Sequence, residues 1–264
     1  MTERTVVIKI GGSTLGRSDT SLSDMVALQQ LCTRVVVVHG GGAEISRWLN
    51  RMGLESKFVN GLRVTGEEEL RVVTAVLAGL VNKTLVRQLY DAGGRAVGIS
   101  GVDGGLAHAA ITNPSLGCVG EVDRVDTTVL AALLEAGFMP VISPVCWGTA
   151  ATAGGMLNVN ADEVAAEIAI ALGAASLIYL TDVPGILDAS GRVIPHVCAG
   201  EVESLITTGI IRGGMIPKAR TCVRAAHHVA RTRIIDGTAA HALLRENDIE
   251  PGGTTIDTAE LARS

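Results

Sequence analysis

Aromatic residues are almost missing from this chain: two Phe, two Tyr and two Trp among 264 residues. A single-stranded nucleic acid surface needs aromatic platforms on which bases stack, and six rings cannot supply one. The chain also lacks a basic excess, its formal net charge being −5, so it offers no electrostatic footprint for a polyanion. No run of about 18 uncharged apolar residues occurs, which excludes a helical membrane span. The opening Met-Thr-Glu-Arg-Thr runs straight into Val6-Val7-Ile8 without the apolar stretch of a signal peptide. The five cysteines are odd in number, scattered, and contain no C-x-x-C. That suits small buried thiols in a reducing cytoplasm better than a disulfide frame or a zinc site. Lysine is scarce too. Only Lys9, Lys57, Lys83 and Lys218 stand among 22 basic residues, so where a plain surface cation would do the chain uses arginine. A lysine in an unusual setting carries information here.

Apolar residues make up 47% of the chain, and with so few rings the core must be built from Ala, Val, Leu and Ile. Short β-branched runs at Thr5–Ile10, Arg34–His39, Ala96–Ser100, Met139–Ser143, Ser176–Thr181 and Thr232–Ile235 are nearly unbroken apolar stretches, as in strands buried on both faces. Helical periodicity marks Ala43–Met52, Glu67–Ala92, Thr127–Ala136, Asp162–Leu172 and Lys218–Ala230. Lys57–Thr65, with its Asn-Gly, reads as a hairpin. Ala107–Val125 and Trp147–Val159 are Gly-rich and suggest further hairpins over one end of the sheet. The alternation predicts an α/β fold with a mostly parallel open sheet between helical layers. Ligands of such sheets bind beyond the carboxyl ends of the strands.

Several residues fall at those ends. Lys9 interrupts an apolar strand and precedes Gly11-Gly12. A buried ammonium is costly unless paired, so Lys9 either meets a carboxylate or faces phosphate oxygens that the glycine N–H groups also reach. His39-Gly40-Gly41-Gly42 leads into a helix whose free N–H groups form an anion site; Gly-rich turns of this kind also arise from packing alone. Arg63, in the Asn-Gly hairpin, has the planar fork that suits a carboxylate, or it is an ordinary surface cation. Asn158-Val-Asn160-Ala-Asp162-Glu163 opens a helix. Asn160 and Glu163 have capping-box spacing, and Asp162 gains from the helix dipole whatever else it does. Gly213-Gly214-Met-Ile-Pro217-Lys218 opens another, with Pro217 suited to a first helical position and Lys218 where the dipole disfavours a cation. Thr181-Asp-Val-Pro-Gly-Ile-Leu187 follows a strand and contains a turn signal. Neither G-x-G-x-x-G nor G-x-x-x-x-G-K-[ST] is present. Histidines spaced as metal ligands are missing, so no protein-bound metal site is expected.

Taken together, Lys9-Ile-Gly-Gly, His39-Gly-Gly-Gly, Phe58-Val-Asn-Gly-Leu-Arg-Val-Thr, Val81-Asn-Lys-Thr-Leu, Gly117-Cys-Val-Gly-Glu-Val, Asn158-Val-Asn-Ala-Asp, Thr181-Asp-Val-Pro-Gly-Ile-Leu and Gly214-Met-Ile-Pro-Lys resemble the amino-acid kinase family, most closely its acetylglutamate-phosphorylating branch. The resemblance implies a three-layer αβα sandwich. It also implies an acyl-amino-acid-binding and dimerising lobe over residues 1–174 and a nucleotide lobe over 175–264. Lys9 and Lys218 would stabilise the phosphoryl group in transit, with Asp162 orienting both. Gly41, Gly42, Arg63 and Asn158 would hold N-acetyl-L-glutamate. Gly11 and Gly12 would line the phosphates of ATP, which arrives with Mg²⁺ on its own oxygens. Thr181, Asp182, Val183, Pro184, Gly185, Ile186 and Leu187, with Ile210, Ile211 and Arg212, would contact the nucleotide. The arginine-inhibited hexameric members carry an additional N-terminal helix for which this sequence leaves no room before its first strand. A homodimer insensitive to arginine is therefore expected. Two alternatives stay open: a kinase acting on an aminoadipate derivative, and a non-catalytic regulatory member.

Overall fold

A computed structural model describes residues 4–11, 20–59, 61–148, 155–247 and 252–258. Strand β1 (Thr5–Ile10) lies inside an eight-stranded sheet, flanked by β2 (Arg34–His39) and β11 (Ser176–Thr181). Outward on one side follow β8 (Met139–Ser143) and the edge strand β5 (Ala96–Ser100). On the other side lie β13 (Thr232–Asp236), β14 (Thr254–Asp257) and β12 (His196–Cys198). Pairing from β13 through to β5 is parallel throughout, and only the β13–β14 contact is antiparallel. The predicted strand limits agree with the structure, with β13 one residue longer.

Because strand side chains alternate, one apolar run feeds two cores. Val7, Val36, Val38, Leu177, Tyr179 and Ile234 face one side. There they meet α5 (Thr128–Glu135), α6 (Ala161–Ala171), α7 (Val202–Thr207) and α8 (Met215–Ala226). Val6, Ile8, Ile10, Val35, Val37 and Ile178 face the other. Against them pack α1 (Ser21–Gln30), α2 (Gly42–Arg51), α3 (Glu67–Thr74) and α4 (Asn82–Asp91). This is the expected three-layer arrangement with an aliphatic core. Between α3 and α4 the long helix expected over Glu67–Ala92 widens into a π-helical segment, Ala75–Val81.

The two Gly-rich regions form hairpins, as expected. Strands β6 (Ala107–Ala110) and β7 (Val119–Val125) pair antiparallel, as do β9 (Val145–Trp147) and β10 (Met156–Val159). The structure adds two parallel contacts, β7–β10 and β6–β9, which close the four strands into a small barrel. Strands β3 (Phe58–Val59) and β4 (Leu62–Arg63) make the third hairpin; Asn60 of its turn lies outside the described residues. No helix among the described residues is long and apolar enough to cross a membrane.

Candidate active site

Strand parity puts Lys9 on the same sheet face as Val7, the face covered by α6 and α8, and beside Tyr179 of β11 in the ladder. From there its ammonium reaches the first turn of α6, with Nζ 2.7 Å from Asp162 Oδ1. Lys218 arrives from α8 and places Nζ 3.0 Å from both carboxylate oxygens of Asp162. The two ammonium groups thus share an oxygen. All three side chains are about nine-tenths buried. Burial would raise the Asp162 carboxyl, but the two ammonium charges outweigh it and hold the group at about 2. Burial is also the largest influence on Lys9 and pushes its pKa down; Asp162 opposes this and Lys218 adds to it. Two cations against one anion leave a net positive centre with little water around it, which is the electrostatic requirement of a phosphoryl-transfer site.

Supporting contacts fix the carboxylate from behind. Asn160 caps α6, its Oδ1 accepting from Asp162 N at 2.9 Å. The reciprocal half of the expected capping box does not form. Glu163 instead turns to the barrel, where Oε1 accepts from Val122 N of β7 at 2.7 Å. Tyr179 donates to the Asp162 carbonyl at 3.0 Å, and its ring lies 5.0 Å under Lys218 Nζ. Helix α8 starts at Met215, so Pro217 occupies the third helical position and not the first. Its missing N–H costs nothing there, since the first four N–H groups lack helical partners.

Beside this centre lies a cleft of about 180 Å³ lined by Gly40, Gly41, Gly42, Arg63, Asn158 and Asn160, among others. All four residues expected to hold the acyl amino acid border it. At Gly41 a Cβ would come 2.6 Å from Leu77 Cδ2 on the π segment, so that side chain would have to shift; at Gly42 the same position is open space. Arg63 is buried, and its fork is held in place: Nη1 donates to Ser56 Oγ at 2.6 Å, Nη2 to Gly42 O at 2.9 Å and Ser46 Oγ at 2.8 Å. The Phe58 ring stacks 4.6 Å from its Cζ. Asn158 donates to Thr65 Oγ1 at 3.2 Å.

The described residues expected at the nucleotide fall in three segments, after β1, at the end of β11 and between α7 and α8. Gly11 follows β1 and Thr181–Leu187 follows β11, so both segments leave neighbouring strands at the same sheet edge, Ile10 pairing with Leu180. Gly12 lies outside the described residues. Asp182, Pro184 and Arg212 are exposed, whereas Ile186 and Ile211 are buried in the core; those two have only backbone to offer a ligand. Gly185 has φ +146°, and a Cβ there would meet Thr254 Oγ1 at 2.7 Å. Sequence reasoning assigned no role to His39, Ser46, Ser56, Thr65, Asn82 or Tyr179. For Lys83, whose Nζ donates to Gly98 O at 2.8 Å, the scarcity of lysine was the available signal.

The sequence pattern of the amino acid kinase family matches residues 4–236. The chain belongs to the amino acid kinase family. An acetylglutamate kinase of Dehalococcoides mccartyi is 44% identical over 98% of this chain and 96% of its own length. Another, from Thermosynechococcus vestitus, is 48% identical over 92% of this chain and 84% of its own. Among solved structures, smu.665 from Streptococcus mutans UA159 superposes with a TM-score of 0.84 at 30% identity, covering 97% of this chain and 99% of that one. The kinase-family fold and the lysine–aspartate centre therefore coincide in one molecule.

Proposed function

We propose that the protein phosphorylates the side-chain carboxylate of N-acetyl-L-glutamate with ATP, giving an acyl phosphate and ADP, as a step of arginine biosynthesis. The observation that carries this is the convergence of Lys9 and Lys218 on Asp162 beside a cleft equipped with a buried, pre-oriented arginine. The acceptor is already ionised at neutral pH, so no general base is required. One carboxylate oxygen bonds to the γ-phosphorus as the bond to the β-phosphate bridging oxygen breaks, and no proton moves. Catalysis then reduces to alignment and to neutralising charge on the γ-phosphoryl oxygens. Lys9 and Lys218 supply that neutralisation, and Asp162 spaces them. Arg63, Asn158 and the backbone of Gly41 and Gly42 hold the acceptor.

Both oxygens of Asp162 are already engaged by ammonium groups, so it serves as the lysine anchor and not as a metal ligand. Mg²⁺ would be carried by the nucleotide phosphates and would supply charge neutralisation there. Gly11 and Gly12, the Thr181–Leu187 loop and Ile210–Arg212 form the nucleotide side, within a lobe over residues 175–264; residues 1–174 form the acceptor lobe. Ile186 and Ile211 act there through their backbone. The open edge of β5, beside the exposed Leu80 and Tyr90, supports a homodimer, which sedimentation would test. All five cysteines are free, as a reducing cytoplasm keeps them.

The deciding experiment is ATP-dependent hydroxamate trapping of acyl phosphates over N-acetylglutamate, N-acetylaminoadipate, N-acetylaspartate and free glutamate. N-acetylglutamate is expected to give the highest kcat/KM. Preference for the aminoadipate derivative would reassign the substrate, and no turnover of any acceptor would defeat the catalytic reading.

A further inference from the structure

The glycine turn after β2 is set from behind by side chains that do not enter the cleft. Asn82, the first residue of α4, is fully buried. Its Nδ2 lies 2.9 Å from Val141 O and 3.3 Å from Ile99 O, while Lys83 Nζ lies 3.0 Å from its Oδ1. Carbonyls only accept and an ammonium only donates, so both ends of the amide are fixed. The same Nδ2 sits 3.1 Å from His39 Nε2, which must therefore be an accepting, unprotonated nitrogen. The ring proton is left on Nδ1, 2.8 Å from Gly40 O. His39 is completely buried, and desolvation lowers its pKa to about 4, so the neutral tautomer persists through the physiological range.

A trans peptide unit points its C=O and N–H in opposite directions, and the described residues contain no cis bond. With Gly40 C=O drawn towards His39, the N–H of Gly41 is turned the other way. Among the described residues nothing accepts from that N–H, and Gly41 borders the cleft.

We infer that His39 and Asn82 are positioning residues for the phosphoryl acceptor: they clamp the Gly40–Gly41 peptide so that the Gly41 N–H is aimed at the acceptor's carboxylate oxygen. This rests on the reading of the cleft as the acceptor's seat. Lys83 completes the chain by fixing the Asn82 amide. The ring thus acts through one backbone group and touches no reactant.

The test separates the two ring nitrogens. Asparagine at position 39 can place an amide N–H where Nδ1–H stands, whereas glutamine places its amide nearer Nε2. His39→Asn should keep the KM for N-acetylglutamate within about threefold of the parent. His39→Gln should raise it about ten- to a hundredfold, the weight of one hydrogen bond to a charged group, with the KM for ATP unchanged. Asn82→Leu frees the tautomer and should raise the acceptor KM by a smaller factor, again sparing ATP. An unchanged acceptor KM in His39→Gln, equal effects in His39→Asn and His39→Gln, or equal losses for both substrates would overturn the inference. Parent protein that shows neither hydroxamate formation nor a calorimetric heat with N-acetylglutamate would instead overturn the acceptor assignment beneath it.

Discussion

Replacing Asp162 by asparagine tests the lysine–aspartate centre most directly. The carboxyl stands at about 2 against an ordinary 3.8, and the difference corresponds to about 2 kcal/mol of folding stability at neutral pH. Because the folded-state value is the lower one, that contribution is complete above about pH 4 and is lost as pH falls through about 2. In Asp162→Asn the pairing is removed while two ammonium groups stay buried, and breaking a buried ion pair on one side costs about 3–5 kcal/mol. The parent should therefore lose stability on acidification to pH 2 by a step that the variant lacks, and the variant should unfold at lower urea at pH 7. Catalysis should fall by about a hundredfold or more, the scale for loss of pre-organised charge. The residual activity carries a further signature. Burial already lowers the Lys9 ammonium, and without Asp162 nothing holds it up. The variant's kcat should thus climb as pH is lowered through the alkaline range while the parent's stays flatter. Hydroxamate rates from pH 6 to 9 and urea melts at pH 2, 4 and 7 supply the readings. A kcat within about threefold of the parent, or a pH profile parallel to it, would refute the electrostatic account.

Lys9→Met and Lys218→Met should each lower kcat by about two to three orders of magnitude with melting temperatures close to the parent's, checked by the same assay and by calorimetry. Gly41→Ala places a methyl 2.6 Å from Leu77 Cδ2; overpacking of this kind costs about 1–3 kcal/mol, and steady-state kinetics should show the acceptor KM rising more than that of ATP. Burial raises Glu163 to about 7 against the opposing Val122 N–H and Arg224. A carboxyl with a raised folded-state value destabilises the fold once ionised, so the penalty is complete above about pH 7 and fades towards about 4.5. Glu163→Gln keeps an acceptor for Val122 N and should melt higher than the parent at pH 8.5, with the gap closing below about pH 5 in scanning calorimetry.

The central strands were legible because strands buried on both faces write themselves as unbroken Val/Ile runs. Lys9 and Lys218 stood out for a related reason, since each places a scarce charge where local physics disfavours one. What escaped depends on contacts distant along the chain. Barrel closure pairs Asn158 with Val119, and no local period announces it. Helix α1 is as long as α2, but its Ser21, Ser23 and Asp24 break up the apolar period that would have announced it. Strands β12 and β14 are three and four residues long. Pro217 reads as the first helical position because proline favours that place, whereas the helix begins two residues earlier, at Met215, directly after Gly213-Gly214. Asn82 is polar, and its burial follows from the course of the helix that carries it, which periodicity alone did not show.

That course has an evolutionary corollary. In a straight α-helix each residue turns the chain by about 100°, so the wider coil of Ala75–Val81 changes the angle at which everything after it emerges. Winding the same seven residues as an ordinary α-helix would swing Asn82 off His39 and carry Leu85 and Leu89 out of the core together. The irregular turn is thereby tied at once to the foundation of the sheet and to the geometry of the glycine loop, and length changes should be tolerated less in this stretch than in the exposed loops.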